Sequence, residues 1–266
     1  MAANTGRLGK ITKDVMMKQF RSALLALTIA AFPAAAQAGS FDDAQKKEIG
    51  EIVRAYLLEN PQVLIEVSKE LEARQQAEEE KKRSSALAEH AKEIFHSEAD
   101  FVAGNPQGDV TIVEFFDYNC PWCKKSAPII EKLLKDDKGL KLIFKEFPIL
   151  GEASEYASRA AIAAKAQGKY LEFHMAVFGH EGKVDAGIVD GVAQSLGLDM
   201  AKFKSDVLSP ETTQIIERNR GLAQTLGITG TPGFIVDRDV IPGFIAERQM
   251  VEAITKMRQS GGCTLC

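Results

Sequence analysis

The sequence has little of what a nucleic-acid-binding or membrane-spanning protein needs. Its 33 Lys and Arg residues are balanced by 37 Asp and Glu residues, so the net charge is −4 and no basic footprint for nucleic acid is present. Beyond residue 38, no apolar run is long enough to cross a bilayer. The four histidines and seven methionines are scattered, and neither forms a metal-binding tract. These absences leave the four cysteines as the main chemical signal.

Residues 1–38 have the composition of a cleaved export signal. A basic segment precedes a short apolar core at residues 23–32, and Ala36-Gln37-Ala38 fits the small-residue pattern of a cleavage site. We predict cleavage after Ala38, and the alternative is an uncleaved membrane anchor. The mature chain is then expected in an oxidising compartment, the periplasm of a Gram-negative cell, without membrane attachment.

Two cysteines stand where a strand gives way to a helix. The apolar run Val113–Phe116 leads to Cys120-Pro121-Trp122-Cys123, and Pro121 suits the first position of a helix. Apolar residues at helical spacing follow. The free N–H groups and the positive dipole end of a helix favour a thiolate at this place. Cys120 is therefore the predicted nucleophile, and Cys123 is the predicted resolving thiol.

Cys263 and Cys266 form a second C-x-x-C pair in the tail, residues 261–266. Zinc is the structural alternative for Cys120 and Cys123, but structural zinc takes four ligands and the second pair is remote in sequence. Such pairs close tiny loops that stabilise a fold little, so chemistry is favoured over stapling. The tail pair stays open: it is a structural disulfide or an inert tail, or a second thiol pair that relays electrons or helps to hold a soft metal.

Residues 39–97 differ in composition from the rest of the chain. They contain no Gly after Gly50 and only one Pro. Two helices are predicted, the first capped by Asp42 or Asp43 and the second starting at Asn60-Pro61. Each has an apolar stripe that a short isolated helix cannot bury alone. The segment either folds back onto the next domain or, as its long polar stretch favours, is an oligomerisation arm.

Residues 98–260 show an α/β pattern. A mainly helical block, about residues 152–226, separates two early strands from two late ones and a closing helix, which is typical of an elaborated crossover. The aromatic stripe over residues 170–178 is interpreted as core rather than as a substrate groove. The expected elements are a turn-rich segment at 101–109, strands at 110–116, 140–148, 233–236 and 240–244, and a helix at 246–259.

Two further features of this domain point to the cysteines. Glu114 interrupts a buried strand, which is unfavourable unless the carboxylate has a task or a partner. It either turns to solvent at a sheet edge, or accepts protons and tunes the charge near Cys123. Thr231-Pro232 precedes a strand and is predicted to form a cis bond facing the cysteines, where Pro offers backbone without an N–H.

In this arrangement the chain resembles the thioredoxin fold with the helical insertion of the DsbA-like thiol-disulfide oxidoreductases. The resemblance rests on Glu114-Phe115-Phe116, Cys120-Pro121-Trp122-Cys123 and Thr231-Pro232, over about residues 100–260. The arm and residues 101–106 resemble a narrower branch, the suppressor-of-copper-sensitivity protein C group. That branch implies homotrimers joined by the arm, disulfide isomerase or reductase activity, and copper(I) bound at Cys120 and Cys123.

The resemblance implies roles for individual residues and leaves two alternative functions open. Cys120, Cys123 and Glu114 would be catalytic, and Thr231, Pro232, Pro121 and Trp122 would contact exported client proteins. Trp122 stands where strongly oxidising members have His, so a weaker oxidant is expected. An isomerase needs no cofactor but needs a membrane thiol reductase as electron donor. The alternatives are a dithiol oxidase and a periplasmic copper(I) chaperone or buffer, the second of which would imply a role in copper tolerance.

Overall fold

The computed structural model describes residues 41–266, and the predicted export signal lies outside the described residues. The chain divides after Val63 into two units. The first contains helix α1, Asp43–Glu59, which buries none of its described side chains. Asp42 caps it as predicted: its carboxylate accepts from the Gln45 N–H at 2.8 Å, and the Gln45 side chain accepts from the Asp42 N–H at 3.0 Å.

The second unit begins within a long helix and contains a five-stranded sheet. No helix in residues 41–266 has the length and apolar character needed to cross a membrane. In chain order the elements are α2 Gln62–Glu89, α3 Ala91–Phe95, β1 Phe101–Gly104, β2 Val110–Phe116, α4 Pro121–Asp136, β3 Leu140–Glu146, α5 Glu152–Lys165, α6 Tyr170–Phe178, α7 Ala186–Ser195, α8 Met200–Val207, α9 Pro210–Thr225, β4 Gly233–Val236, β5 Asp239–Pro242 and α10 Glu247–Gln259.

The sheet has the order β1-β3-β2-β4-β5, so β2 is its middle strand. β2 runs parallel to β3, with Phe116 opposite Glu146, and antiparallel to β4, with Phe115 opposite Gly233. Every residue of β2 is buried, in keeping with its continuous apolar run. The end of β2 thereby brings the cysteine loop beside the start of β4, where Thr231 and Pro232 lie.

Two apolar layers cover the sheet. One joins α4, α10 and the helical insertion α5–α8 to side chains such as Ile112 and Phe144. The other joins Leu87, Ile94 and Phe95 to the opposite face, including Val113 and Phe115. The end of α2 and all of α3 are therefore packed into the sheet domain, although the sequence analysis grouped them with the arm.

The α/β architecture with a helical insertion is confirmed, and so is the interpretation of the aromatic stripe of α6 as core, because Tyr170, Phe173 and Phe178 are buried. The segment 101–109 differs from expectation. Its first four residues form β1, an edge strand antiparallel to β3. A four-residue strand beside Gly104, whose φ of 77° is in the left-handed region, gives too short an alternating pattern to be distinguished from a turn.

A buried ion pair fastens the segment before β1 to the sheet. Lys145 of β3 is 1% exposed and forms a short contact with the Asp100 carboxylate. Its ammonium also donates to the Glu93 carbonyl at 2.6 Å. Nearby, the half-buried Lys141 donates to the Phe95 carbonyl at 3.2 Å. Lysines from the sheet thus satisfy carbonyl groups at the end of α3.

We expect Lys145→Met to lower the free energy of unfolding by about 3 kcal/mol, because removing one partner leaves a buried carboxylate without its cation. Lys141→Met, the control on the same strand, removes a single hydrogen bond and should lower it by about 1 kcal/mol. Urea denaturation monitored by circular dichroism measures both. Equal losses for the two variants would contradict a special role of the Lys145–Asp100 pair.

Candidate active site

One buried carboxylate organises the loop between β2 and α4. Asp117 is fully buried and accepts from the N–H of Asn119 at 2.7 Å and from the Ser154 hydroxyl at 2.7 Å. It also accepts from the N–H groups of Ile149 at 2.8 Å and Leu150 at 2.9 Å. The loop before the cysteines is thereby tied to the start of α5. Asp117 is not among the site residues predicted from the sequence.

Asn119 and Lys124 join the cysteine motif to the loop before α7. Asn119 donates from Nδ2 to the Val184 carbonyl at 3.0 Å and accepts at Oδ1 from the Val184 N–H at 2.8 Å. Lys124 donates to the His180 carbonyl at 2.9 Å and also to that of Gly182. The residues on both sides of Cys120 are therefore held against the helical insertion.

Cys120 occupies the N-cap position of α4, and Pro121 begins that helix, as the sequence predicts. Its Sγ lies 3.2 Å from the carbonyl oxygen of Thr231, and the Thr231–Pro232 bond is cis. A hydrogen bond from the Cys123 thiol is the largest cause that lowers the pKa of Cys120, to about 5; burial opposes it, and the Thr231 hydroxyl and nearby N–H groups reinforce it. Cys120 is thus a thiolate at neutral pH.

Cys123 is the third residue of α4, about one turn after Cys120, and is 1% exposed. Burial, the hydrogen bond to Cys120 and the charge of Glu114 raise the pKa of its thiol far above the usual range. Glu114 is 3% exposed on the middle strand, so the alternative of a solvent-facing edge residue is wrong. Burial, followed by the charge of Cys120, raises the pKa of Glu114 to about 8. One sulfur is therefore ionised while its partner holds a proton.

An exposed aromatic rim borders the cysteines. Trp122 is 53% exposed, and its ring centroid lies 5.5 Å from that of Phe244. The Lys125 ammonium lies 5.1 Å from the Trp122 ring centroid and 4.6 Å from the Phe244 ring centroid. Leu150, which lines a surface depression together with Pro121, is 51% exposed. These apolar surfaces lie next to the cysteine motif and can contact an unfolded chain.

A second buried acid lies between the sheet and the helical insertion. Glu146 accepts from the Tyr170 hydroxyl at 2.7 Å, while the Tyr118 hydroxyl lies 3.0 Å from Nδ1 of His174. Burial raises the pKa of Glu146 to about 8 and lowers the pKa of His174 to about 3. The Asn219 side chain donates to the Glu146 carbonyl at 3.1 Å. None of these residues is predicted from the sequence as a site residue, because their partners come from three separate elements.

The tail cysteines lie away from the active pair. Cys263 and Cys266 are joined in a disulfide, and Thr264 donates from its N–H to Asp237 at 2.8 Å. Asp237 follows Val236, which pairs with Ile112 near the start of β2. The tail therefore packs at the end of the sheet opposite Cys120. The sequence-predicted site residues that come together are Glu114, Cys120, Pro121, Trp122, Cys123, Thr231 and Pro232.

Comparisons with known families and structures agree with this geometry. The DSBA-like thioredoxin domain matches residues 111–255, more than half of the chain, and the copper resistance protein ScsC N-terminal domain matches residues 45–78. A thioredoxin-like oxidoreductase from Silicibacter pomeroyi is 42% identical, with a TM-score of 0.62, over 63% of this chain and 97% of that one. The expected fold, and the resemblance of the arm, are thereby confirmed.

Two other similar proteins match this chain over different shares of their own length. Proteus mirabilis ScsC, in a transitional conformation, is 26% identical with a TM-score of 0.62, over 83% of this chain and 98% of that one. The Na⁺/H⁺ antiporter NhaA 1 of Salinispora arenicola is 30% identical over 141 residues, which are 52% of this chain and 22% of the antiporter. The chain thus spans about a fifth of the first curated relatives it matches, and antiport is a property of that longer protein.

Alkylation by iodoacetamide should report the ionisation of Cys120. Because only the thiolate reacts, we expect a rate that is constant above about pH 6 and falls about tenfold per unit below the pKa of about 5. In Cys123→Ala the main hydrogen bond to the sulfur is lost, so the midpoint should move toward the ordinary thiol value of about 8.5. Mass spectrometry over a pH series measures both midpoints. Equal midpoints would contradict the assigned role of Cys123.

Proposed function

This chain belongs to the DSBA-like thioredoxin domain family, and on that premise we propose that it is a periplasmic disulfide isomerase and reductase of exported proteins. The observation that carries the proposal is the pairing of an ionised Cys120 with a protonated, buried Cys123 beside the Thr231–Pro232 backbone. Such a pair can attack a foreign disulfide and then release itself.

The reaction begins with the Cys120 thiolate attacking one sulfur of a client disulfide. The client S–S bond breaks, one client sulfur leaves as a thiolate, and a mixed disulfide forms. In isomerisation, the released thiolate attacks another client disulfide, and a client sulfur finally displaces Cys120. In reduction, Cys123 loses its proton and attacks the Cys120 sulfur, which releases a second client thiolate and leaves a Cys120–Cys123 disulfide.

Glu114 would receive the proton of Cys123 in the reductive branch. The charge of Cys120 contributes to the raised pKa of Glu114, of about 8, and disappears when the mixed disulfide forms. The pKa of Glu114 then falls, so its carboxylate becomes available as a base. The hydrogen bond that holds the Cys123 proton on its own sulfur loses its anionic acceptor at the same step. Both changes favour transfer of that proton.

The isomerase direction is supported by the Pro121–Trp122 dipeptide. The exposed Trp122 ring packs with Phe244 and Lys125, and in residues 41–266 its side chain donates no hydrogen bond to the Cys120 sulfur. The pKa of Cys120, of about 5, is less depressed than the roughly 3.5 of DsbA. A less stabilised thiolate makes a weaker oxidant. A membrane thiol reductase would return the Cys120–Cys123 disulfide to the dithiol form; a dithiol oxidase is the alternative.

Cysteine variants test this mechanism. We expect Cys120→Ser to abolish both insulin reduction and reactivation of scrambled ribonuclease, because no nucleophile remains. Cys123→Ser should instead accumulate mixed disulfides with clients, visible on non-reducing gels, because the resolving thiol is missing. Cys263→Ser/Cys266→Ser is the matched control and should retain activity. Full activity of Cys120→Ser would refute the assignment.

The arm is proposed to join copies of the chain, with a homotrimer as the form that the ScsC resemblance implies. In the first unit, Ile49, Ile52 and Tyr56 are exposed on α1. In the second unit, Leu64 and Leu71 of α2 are 56% and 55% exposed. On each of the two helices, apolar side chains at this spacing form an exposed stripe that association of copies would bury. Several active sites in one assembly would hold one misfolded client during repeated exchange.

Charges placed in this stripe should separate the copies. We expect Leu64→Glu/Leu71→Glu to reduce the mass in solution to that of a monomer and to lower ribonuclease isomerisation, while insulin reduction persists. Gln75→Glu/Gln76→Glu adds the same charges to the polar part of α2 and should change neither property. Light scattering gives the mass. A monomeric double variant with normal isomerisation would refute the link between assembly and isomerase function.

Copper(I) binding is proposed as a second activity of Cys120 and Cys123. Thiolate sulfur suits this soft ion, and the match of residues 45–78 to a copper resistance protein domain supports the proposal. In residues 41–266, no cluster of three or more His, Cys, Asp or Glu side chains is arranged to hold a metal. The ion would therefore depend on the two active sulfurs, and its binding would compete with thiol exchange. The thiol exchange itself requires no cofactor.

A further inference from the structure

A small cleft lies beside Thr231, between α2 and the loop that leads into β4. Its volume is about 170 Å³, below the 300–1,000 Å³ typical of small-molecule sites and sufficient for a single side chain. Arg83 of α2 is its one charged lining residue among those described. The remaining lining residues are Gly227, Ile228, Thr229, Gly230, Thr231, Val240, Pro242 and Gly243.

The position of Arg83 follows from the packing of α2. Leu87, one turn further along the helix, is fully buried in the apolar layer that also contains Ile228. Residues four apart lie on one helix face, so Leu87 directs Arg83 toward the loop that begins at Ile228. The Arg83 side chain is 34% exposed, and within residues 41–266 its one carboxylate contact is Glu80 at 3.8 Å. Toward these residues its guanidinium retains unused donors.

The loop opposite Arg83 also offers donors. Among the described residues, the backbone N–H groups of Thr229, Gly230 and Thr231 donate no hydrogen bond within the chain. Thr231 itself contacts the Cys120 sulfur through its carbonyl oxygen. A group bound between Arg83 and this loop would therefore be close to the reacting sulfur. Donors on both sides, with no carboxylate in the lining, favour an anionic group.

We propose that Arg83 determines client specificity by binding a carboxylate side chain near the attacked client cysteine. The proposal rests on the proposed thiol-exchange function. A client chain that crosses Thr231 would place an Asp or Glu side chain in the cleft, where the planar guanidinium can bind both carboxylate oxygens. Acidic segments around a cysteine are thus favoured over neutral and basic ones. The helix that begins in the arm thereby supplies part of the client site.

Activated peptides can test the preference directly. Short peptides with one cysteine, blocked as a 2-pyridyl disulfide, carry Glu, Gln or Lys on either side of that cysteine. Attack by the Cys120 thiolate releases pyridine-2-thione, whose absorbance gives the second-order rate constant. 2,2′-Dipyridyl disulfide, which has no peptide, measures the reactivity of Cys120 alone. The full-length reduced protein and its Arg83→Ala, Arg83→Lys, Arg83→Glu and Lys82→Ala variants are compared at low and high salt.

The wild-type protein should react about fivefold faster with the Glu peptide than with the Gln peptide at low salt, and salt should reduce this ratio. Arg83→Ala should bring the ratio to about one, Arg83→Lys should restore part of it, and Arg83→Glu should favour the Lys peptide. Lys82→Ala is the matched control, because it removes the same charge from the same helix at a side chain that is 73% exposed. The rate with dipyridyl disulfide should be equal in all variants.

The proposal would be overturned by no Glu preference in the wild type, by an unchanged preference in Arg83→Ala, or by an equal loss in Lys82→Ala. A lower dipyridyl disulfide rate in Arg83→Ala would show that the residue acts through the sulfur rather than on the client, and would also overturn it. Failure of the wild-type protein to react with dipyridyl disulfide would refute the thiol-exchange function itself.

Discussion

A single proton between two sulfurs governs the chemistry of this domain. The proton stays on Cys123, whose thiol donates a hydrogen bond to the Cys120 sulfur. This hydrogen bond stabilises the ionised form of Cys120. The arrangement needs a helix that begins at Pro121, with the Cys120 sulfur at its N-cap and Cys123 three residues after that cap. Burial raises the pKa of Cys123 further above that of Cys120, since Cys123 is enclosed while Cys120 faces the Thr231 carbonyl. Attack and resolution are thus assigned before a client arrives.

The rest of the site keeps that geometry fixed. Asp117 and Asn119 connect the cysteine loop to the start of α5 and to Val184, so the helical insertion acts as a support for the loop as well as a cover. Buried polar groups make such supports specific, because each unpaired donor or acceptor would be strongly unfavourable. Glu114 is different. The hydrogen bonds within residues 41–266 leave its carboxylate without a partner, which favours a neutral acid at rest and suits a group that gains and loses a proton.

Local sequence patterns predict those features of the fold and the site that depend only on residues close together in the chain. The Cys120-Pro121-Trp122-Cys123 motif, the cap at Asp42 and the Thr231-Pro232 turn are read from short spans, and each lies where the pattern places it. Asp117, Asn119 and Glu146 are different, because each has a partner between 24 and 73 residues away that only the folded chain brings close. Arg83 could not be predicted from the sequence for another reason. It ends a run of charged residues that is typical of a solvated helix face, and its position in the cleft depends on the burial of Leu87.

In the proposed assembly, the placement of Arg83 would couple client binding to the association of copies. α2 contains neither Gly nor Pro between Gln62 and Glu89, so nothing in its sequence favours a break between the exposed stripe at Leu64 and Leu71 and the cleft at Arg83. Leu71 and Arg83 are about 18 Å apart along the helix axis at 1.5 Å per residue. An assembly held by the stripe would therefore place each client cleft at a set distance from the point of association. In the proposed isomerase, a misfolded client leaving one Cys120 would meet another site whose position is fixed by the same helix, so this spacing would favour repeated exchange on one client.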